Sequence, residues 1–199
     1  MKSILLVFIF LLLQSCASVK TPDRHYYRLS TINNNMVQQS VQNRVKLAVS
    51  DFATTGLLNS RNLLFIDSKK PNEVKQFNFH FWDSSLSKIL TMHFVSYLKL
   101  ISDNEKISKY SYSSNSGFSV KATVRVMEIV YSEQGAMPVV SIDFQVLNSK
   151  NKLVFEKSYS SKKSYKDNEI YGLVTSYNAL LVEIYNKFIQ DVQFLKVDM

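Results

Sequence analysis

Residues 118–159, FSVKATVRVMEIVYSEQGAMPVVSIDFQVLNSKNKLVFEKSY, carry a regular strand signal. From Phe118 to Val126 apolar and polar side chains alternate, with the period of two that a half-buried strand requires. The apolar phase changes near Met127, which indicates a bulge or a change of buried face. A second alternating run, Val140–Val146, leads through a polar turn into Leu153–Tyr159. This stretch therefore predicts an antiparallel meander.

Further strands are predicted before the meander. His25–Leu29 is an apolar-aromatic island, which we expect to dock on the domain as a short strand. Val45–Phe52 alternates, Leu63–Ile66 is a short apolar run, and Val74–Phe81 alternates again. A proline-containing turn separates the last two, so they can pair as a hairpin. Lys106–Tyr112 is a further candidate for a short strand.

Two segments have helical periodicity. Apolar side chains recur at helical spacing from Leu86 to Ile101, after Asp83-Ser84-Ser85, whose short polar side chains can cap a first turn. We interpret Asp83 as such a cap. A longer apolar stripe runs from Ile170 to Val192, with Asp167 and Asn168 as candidate caps. Two amphipathic helices and an antiparallel-rich mixed sheet predict an α+β fold, a two-layer sandwich with the helices packed on the sheet.

The N-terminus has the pattern of a secretory signal. Lys2 supplies positive charge, and the apolar run Ile4–Leu13 is about half as long as a membrane-spanning helix. Leu13-Gln14-Ser15-Cys16 resembles the bacterial lipobox, in which a diacylglycerol is attached to the cysteine sulfur before cleavage. Cys16 is the only cysteine, so no second thiol can pair with it in an oxidising compartment. We predict that Cys16 is lipidated; the alternative is an ordinary signal peptide with a chance cysteine.

These features divide the chain into three predicted parts. They are a cleaved lipoprotein signal peptide at 1–15, the lipidated Cys16 with a polar tether at 16–44, and a single domain at 45–199. In enterobacteria-like lipoproteins, Asp after the lipidated cysteine retains the protein at the inner membrane, and here that residue is Ala17. The expected location is the periplasmic face of the outer membrane, held by membrane lipid through Cys16.

Composition restricts the partners that we expect. Hydrophobic residues make up 46% of the chain, which is enough for a substantial core, and the formal net charge is +8. A basic balance permits nucleic acid, anionic lipid or acidic protein as partners. Because the cations are scattered and export separates the chain from nucleic acid, we expect no nucleic-acid partner. We interpret the positive charge mainly as keeping the protein surface solvated; the alternative is attraction to anionic headgroups.

No motif promises catalysis. We expect His80 to be exposed. We expect His93, within the apolar stripe of the first helix, to have its ring nitrogens satisfied by hydrogen bonds. The third histidine is His25. No spacing of His, Cys or acidic residues is typical of a metal site, and four glycines cannot build a phosphate-binding loop. We therefore expect no enzymatic activity, no cofactor and no metal.

The aromatic residues of one predicted strand have two interpretations. Phe77, Phe79 and Phe81 lie in register and precede Trp82. They could line a groove for acyl chains or a partner, or they could form the core beneath a helix, which is the commoner fate of such a stripe.

The order of the elements resembles a known family. It comprises the lipobox, Tyr26-Tyr27-Arg28-Leu29, the strand Val45–Phe52, a Leu-rich segment with Arg61 before an apolar strand, Trp82-Asp83-Ser84-Ser85-Leu86, the meander and the long C-terminal helix. This order resembles the ABC-type transport auxiliary lipoprotein family, the PqiC-like lipoproteins associated with MCE systems. The sequence departs from the usual pattern at Gly56-Leu57 and in the apolar Val74–Phe81.

The resemblance implies a function. Such proteins are non-catalytic outer-membrane subunits of MCE/ABC-type intermembrane lipid transport systems, which dock the periplasmic conduit and support envelope integrity. The implied partner is an MCE-domain periplasmic protein, and a homo-oligomeric ring is one arrangement. The alternative is a lipoprotein that regulates or assembles other envelope machinery, such as a cell-wall synthase activator or a secretion-pore accessory.

Overall fold

The computed structural model describes residues 22–32, 47–101, 107–109, 117–166 and 168–192. Cys16, the predicted signal peptide, most of the predicted tether and the candidate cap Asp167 lie outside these residues. The strands are β1 His25–Tyr27, β2 Leu47–Val49, β3 Asn62–Asp67, β4 Val74–Trp82, β5 Ile107–Lys109, β6 Phe118–Ser132, β7 Gly135–Leu147 and β8 Leu153–Lys162. The helices are a short 3₁₀ turn Gly56–Asn59, α1 Leu86–Ile101 and α2 Ile170–Val192.

The strands form one mixed sheet around β6. Along one side β6 pairs antiparallel with β7, which pairs antiparallel with β8, so the predicted meander is confirmed. Its other side is shared by two parallel neighbours, β2 near Phe118 and β3 near Ile129. The predicted hairpin of β3 and β4 is also confirmed, and β1 pairs parallel with β4 at one edge of the sheet.

A bulge in β6 explains the change of apolar phase. The pairing with β7 shifts between Val124 and Val126, which leaves Arg125 as the extra residue. Val124 and Met127 are both buried as a result, although three positions separate them. The interruption predicted near Met127 is therefore confirmed, and it keeps both halves of the strand facing the helices.

The two helices cover one face of the sheet and create an aromatic core. Phe144 of β7 stacks on Phe188 of α2 with 4.4 Å between ring centroids. Phe94 of α1 lies 4.8 Å from the Tyr185 ring and 5.4 Å from the Phe144 ring. Because burying each such side chain contributes about 1.5–3 kcal/mol, this cluster joins both helices to the meander. The α+β two-layer sandwich predicted from the sequence is confirmed.

The start of α1 differs from the prediction in one residue. The Ser85 hydroxyl accepts a hydrogen bond from the Lys88 amide at 3.4 Å, so Ser85 occupies the capping position before Leu86. Asp83 is not the cap, and that interpretation was wrong. Its carboxylate instead forms an ion pair with Arg28, 3.2 Å away, because β1 brings a guanidinium beside the end of β4.

Candidate functional site

The sequence elements that carry the family resemblance meet at one place in the fold. We call this place the β1 junction and define it by Tyr26, Tyr27, Arg28, Arg61, Trp82 and Asp83. These residues come from β1, the start of β3 and the end of β4, three segments that are distant in sequence. The pairing of Tyr27 with Trp82 and of Asn62 with Phe81 brings them together.

Backbone hydrogen bonds fix the geometry of the junction. The Asp83 amide donates to the Tyr27 carbonyl at 2.8 Å, and the Trp82 amide donates to the Arg61 carbonyl at 2.6 Å. The Arg61 guanidinium returns two hydrogen bonds, from Nε to the Trp82 carbonyl at 3.0 Å and from Nη2 to the Asp83 carbonyl at 2.8 Å. Arg61 thereby satisfies carbonyl groups that the end of β4 would otherwise leave to water.

Trp82 anchors the junction to the core, whereas its outer side remains exposed. Trp82 is 3% exposed and contacts the Tyr177 ring of α2. On the outer side, Tyr26 is 54% exposed, stacks on Phe81 and lies under the Arg61 guanidinium at 5.6 Å. The junction is therefore built rigidly from within and presents aromatic and guanidinium groups outward.

The phenylalanine stripe of β4 does not keep one face. Pairing with β3 shifts from Asn62 opposite Phe81 to Leu64 opposite Gln76, so β4 contains an irregularity between these points. Phe77 packs on Phe65 at 4.5 Å. The regular register predicted for Phe77, Phe79 and Phe81 was wrong, and the core interpretation is confirmed for Phe77 and Trp82. Phe77 and Trp82 pack against the core, whereas Phe81 stacks on the exposed Tyr26.

Two histidines and a tyrosine form a stacked cluster beside the junction. The rings of His25 and His80 are 4.9 Å apart and nearly parallel, and the Tyr27 hydroxyl shares a 2.8 Å hydrogen bond with Nδ1 of His80. Burial, with a smaller contribution from His25, lowers the pKa of His80 below its usual value. Burial, with a smaller contribution from Glu169, raises the pKa of Tyr27. His80 is half-buried, so the expectation of an exposed histidine was wrong.

An open groove of about 820 Å³, the β1 groove, lies between β1 and the beginning of α2. The residues that give it its chemical character are Arg24, His25, Arg28, His80, Glu169 and Tyr171. Tyr171 is 68% exposed at its rim. Guanidinium, carboxylate and aromatic groups share this one surface, so it can bind a ligand that carries both charges next to an apolar part.

A smaller groove of about 310 Å³, the α1 groove, separates residues 28–32 from α1. Ile32, Ile89 and the exposed Met92 line it, and His93 lies at its floor. Burial lowers the pKa of His93 to about 4, and the Asn178 side chain opposes this shift only in part.

His93 is only partly satisfied. One ring nitrogen is 3.4 Å from the Tyr185 hydroxyl, and the other makes no hydrogen bond of normal geometry within the described part of the chain. Its burial was expected from the sequence, but full satisfaction of its ring nitrogens was not found.

The described residues contain neither a metal-ligand cluster nor a membrane-spanning helix. Among residues 22–32, 47–101, 117–166 and 168–192, no group of three or more His, Cys, Asp or Glu side chains is placed to hold a metal ion. No helix in the described part of the chain combines the length and apolarity needed to span a bilayer. The absence of enzymatic activity and of a cofactor stays a prediction.

Sequence reasoning missed several residues of the β1 groove. Glu169 and Tyr171 had no periodicity or motif that singled them out, and His25 gave no sign that it would stack on a histidine 55 positions away. By contrast, the docking of the His25–Leu29 island as a strand was predicted, and β1 confirms it.

The described residues thus define a two-layer α+β module with an exposed junction at one sheet edge, and known structures share its fold. No protein-family model matches the sequence, and no curated protein matches it significantly. The crystal structure of an uncharacterized protein superposes with a TM-score of 0.67 at 14% identity, over 86% of this chain and 99% of the other. Protein XCC0632 from Xanthomonas campestris, of family DUF330, superposes with a TM-score of 0.63 at 13% identity, over 86% of this chain and 92% of its own. At such identities the similarity establishes a common fold.

Proposed function

We propose that this protein is a non-catalytic outer-membrane lipoprotein subunit of an MCE/ABC-type intermembrane lipid transport system. In this proposal membrane lipid holds it through Cys16, and it docks the periplasmic conduit formed by an MCE-domain protein. Ala17 after the lipidated cysteine favours the outer membrane over the inner membrane.

The observation that carries this proposal is the β1 junction. The family resemblance depends on short elements that are individually weak, Tyr26-Tyr27-Arg28, Arg61 and Trp82-Asp83. Chance matches would be expected to scatter over the fold, yet these elements contact one another through the Arg28–Asp83 ion pair and the hydrogen bonds of Arg61. Because these elements contact one another in the fold, the resemblance is better explained by one shared structural unit than by chance matches.

The fold adds independent support. A PqiC-like protein is expected to share the architecture of family DUF330, and the protein of that family from Xanthomonas campestris superposes over 92% of its own length. The described domain therefore has the size and layering that the proposal requires.

A homo-oligomer is also part of the proposal. Within the described residues β8 pairs only with β7, so one long side of this strand, Leu153–Lys162, has free backbone donors and acceptors. Such an edge can pair with a second copy of the chain. Crosslinking of the intact lipoprotein in membranes would then give a discrete ladder of multiples of its mass.

The docking proposal is tested by a crosslinked pull-down from native membranes. The wild-type chain is compared with Cys16→Ser, which keeps the folded domain and removes the attachment point. We expect an MCE-domain protein to be recovered with the wild type and to be reduced with Cys16→Ser.

Other outcomes separate the alternatives. Recovery of cell-wall or secretion components without any MCE protein would replace the transport proposal by the alternative of an assembly or regulatory lipoprotein. Unchanged envelope lipid asymmetry and detergent sensitivity after deletion of the gene would count against a role in lipid transport.

A further inference from the structure

We infer that the sheet edge formed by β1 lies against the bilayer that holds the anchor, and that the β1 groove binds a zwitterionic phospholipid headgroup. The inference rests on the part of the proposed function that assigns the lipid anchor to Cys16. It goes beyond that proposal because it states which face of the domain meets the membrane and which headgroup chemistry is recognised.

The first argument is the length of chain between the anchor and the fold. Eight residues, 17–24, separate Cys16 from His25 at the start of β1. A fully extended chain covers at most about 3.3–3.6 Å per residue, so the nine steps from Cys16 to His25 place the start of β1 no more than about 32 Å from the anchored residue. The opposite edge, β8, lies five strand spacings away across the sheet, about 24 Å at about 4.8 Å per spacing. The anchor therefore sets a closer limit on the distance of β1 from the lipid than on that of β8.

The second argument is the distribution of arginine. The chain contains five arginines, and Arg24, Arg28 and Arg61 all lie in or beside β1 and its junction. The planar guanidinium presents paired donors that match phosphate oxygens, whereas lysine acts as a point charge. Arg24 and Arg28 both line the β1 groove, and the Arg28 side chain is 81% exposed. Phosphate groups at a membrane surface can therefore reach them.

The third argument is the presence of exposed tyrosines and a carboxylate beside these arginines. Tyr26 and Tyr171 both line the groove and are more than half exposed. Tyrosine is enriched at the membrane–water interface, because its ring is apolar and its hydroxyl is polar. Glu169 lines the same groove and supplies negative charge, which would repel a purely anionic headgroup. A headgroup with both a phosphate and a primary ammonium, such as phosphoethanolamine, complements arginine and glutamate together.

The volume of the groove agrees with this ligand class. At about 820 Å³ it lies within the range of about 300–1,000 Å³ that is usual for small-molecule sites. The stacked rings of His25 and His80 and the side chains of Ile170 and Val174 give one wall a less polar character. This wall suits the glycerol and first methylene groups that follow a headgroup.

The orientation can be tested because lipidation consumes the only native thiol. In the lipidated protein an introduced cysteine becomes the single site for a fluorescent label. Ser30→Cys places the label beside the β1 groove, and Ser160→Cys, an equally conservative change at an exposed position, places it on β8. Each labelled lipoprotein is reconstituted in vesicles of phosphatidylethanolamine and phosphatidylglycerol that contain a headgroup spin-labelled lipid. We expect several-fold stronger quenching at position 30 than at position 160.

Equal quenching at both positions, or stronger quenching at position 160, would overturn the orientation. Intact mass is measured on the same samples to verify the acyl chains, and the pull-down is repeated with them. If the acyl chains and the MCE partner are retained while position 30 is unquenched, the inference is wrong and the proposed function stands. If a label at position 30 is shielded only when the partner protein is added, the β1 edge is a protein interface instead.

The headgroup assignment has its own test. Glu169→Gln should weaken quenching at position 30 in phosphatidylethanolamine-rich vesicles and leave it unchanged or stronger in vesicles of phosphatidylglycerol alone, which lack the ammonium. Arg24→Gln should weaken quenching in both. The same effect of Glu169→Gln in both lipids would overturn recognition of a zwitterionic headgroup. If inorganic phosphate alone, without vesicles, protects the thiol introduced by Ser30→Cys from labelling, the groove has an affinity for phosphate and not for lipid.

Discussion

Two edge strands of the sheet, β1 and β8, differ in what their side chains do. The inward-facing polar groups of β8 are tied to α2: Lys157 and Tyr159 contact the Asp191 carboxylate at 2.7 and 2.6 Å, and Ser161 donates to Glu183. The β1 edge has only three strand residues, and its arginines and tyrosines extend into a groove or into solvent. The side chains of the long edge therefore stabilise the packing of α2 on the sheet, whereas those of the short edge form an exposed surface.

This contrast indicates where substitutions should affect stability and where they should affect binding. Side chains of β8 that contact α2 stabilise the sandwich, so their loss should lower the free energy of unfolding without changing membrane contact. Exposed side chains of β1 make few stabilising contacts. Their loss should therefore change membrane contact and leave the free energy of unfolding nearly unchanged. The following predictions are ordered from the largest expected effect to the smallest.

Trp82→Ala should have the largest effect on stability. Trp82 is almost fully buried beneath the β1 junction and contacts Tyr177, and removal of a buried tryptophan costs about 3–5 kcal/mol. Phe155→Ala on β8 is the matched change at the other edge, and it should cost less because Phe155 is only half-buried. Chemical denaturation of both variants provides the measurement, and equal losses would show that the deeper burial of Trp82 does not give it the larger effect.

The pH dependence of stability should come mainly from His93 in the helix layer. Burial holds its folded-state pKa at about 4, below the value of about 6.5 expected in the unfolded chain. The neutral form is therefore favoured by folding, so this contribution is fully present above pH 6.5 and is lost as the pH falls towards 4. The expected loss is about 3 kcal/mol. Denaturation midpoints measured between pH 7 and pH 4 should show it.

Two variants test whether His93 causes the loss of stability at low pH. His93→Gln should flatten the pH dependence over this range. His80→Gln at the β1 edge should remove only a smaller part with the same sign, because burial also lowers the pKa of His80 but the ring is half-buried. A pH profile that is unchanged in His93→Gln would show that the acid sensitivity arises elsewhere.

Tyr159→Phe should lower the free energy of unfolding by about 1 kcal/mol. The change removes the hydroxyl that donates to Asp191 and leaves the ring in place against Phe144. Urea denaturation measures the loss, and quenching of the label at position 30 serves as the second measurement. Stability should fall while quenching stays the same; a fall in quenching would show that the two edges are coupled.

Arg28→Gln should have the smallest effect on stability and a clear effect on membrane contact. The Arg28–Asp83 ion pair is solvent-exposed, and such pairs contribute about 0–1 kcal/mol. Loss of the guanidinium should still weaken quenching at position 30. Lys157→Gln, which breaks the ion pair with Asp191 at the other edge, is the control and should not alter quenching. Equal effects of both variants on quenching would indicate general electrostatics.

Much of the fold could be predicted from local patterns in the sequence. The meander, the hairpin of β3 and β4 and the two helices follow from periodicity over neighbouring residues, and even the interruption near Met127 was visible as a change of phase. The failures lie where a local pattern was extended across an irregularity. The alternation of Phe77, Phe79 and Phe81 suggested one face, but the shifted pairing of β4 with β3 separates them.

Much less of the candidate site could be predicted from the sequence. The sequence singled out Tyr26-Tyr27-Arg28 and Trp82-Asp83 by resemblance, but their mutual contact depends on the parallel pairing of β1 with β4. Glu169 and Tyr171 join them only because the beginning of α2 lies beside β1. Lipidation of Cys16 and the division into signal peptide, tether and domain remain predictions, since they concern residues that lie largely outside the described part of the chain.

The sequence by itself determined the order of strands and helices and the apolar faces that form the core, and it predicts export and lipidation at Cys16. Only the tertiary structure decided that His25 stacks on His80, that Asp83 pairs with Arg28 and that a groove opens beside β1. The physical reason is the range of the interactions. Periodicity reports which side of a strand or helix avoids water, and a few neighbouring residues are enough to establish it. Contacts between distant segments depend on how the sheet is ordered and where its pairing shifts, and that order is set by the packing of the whole domain.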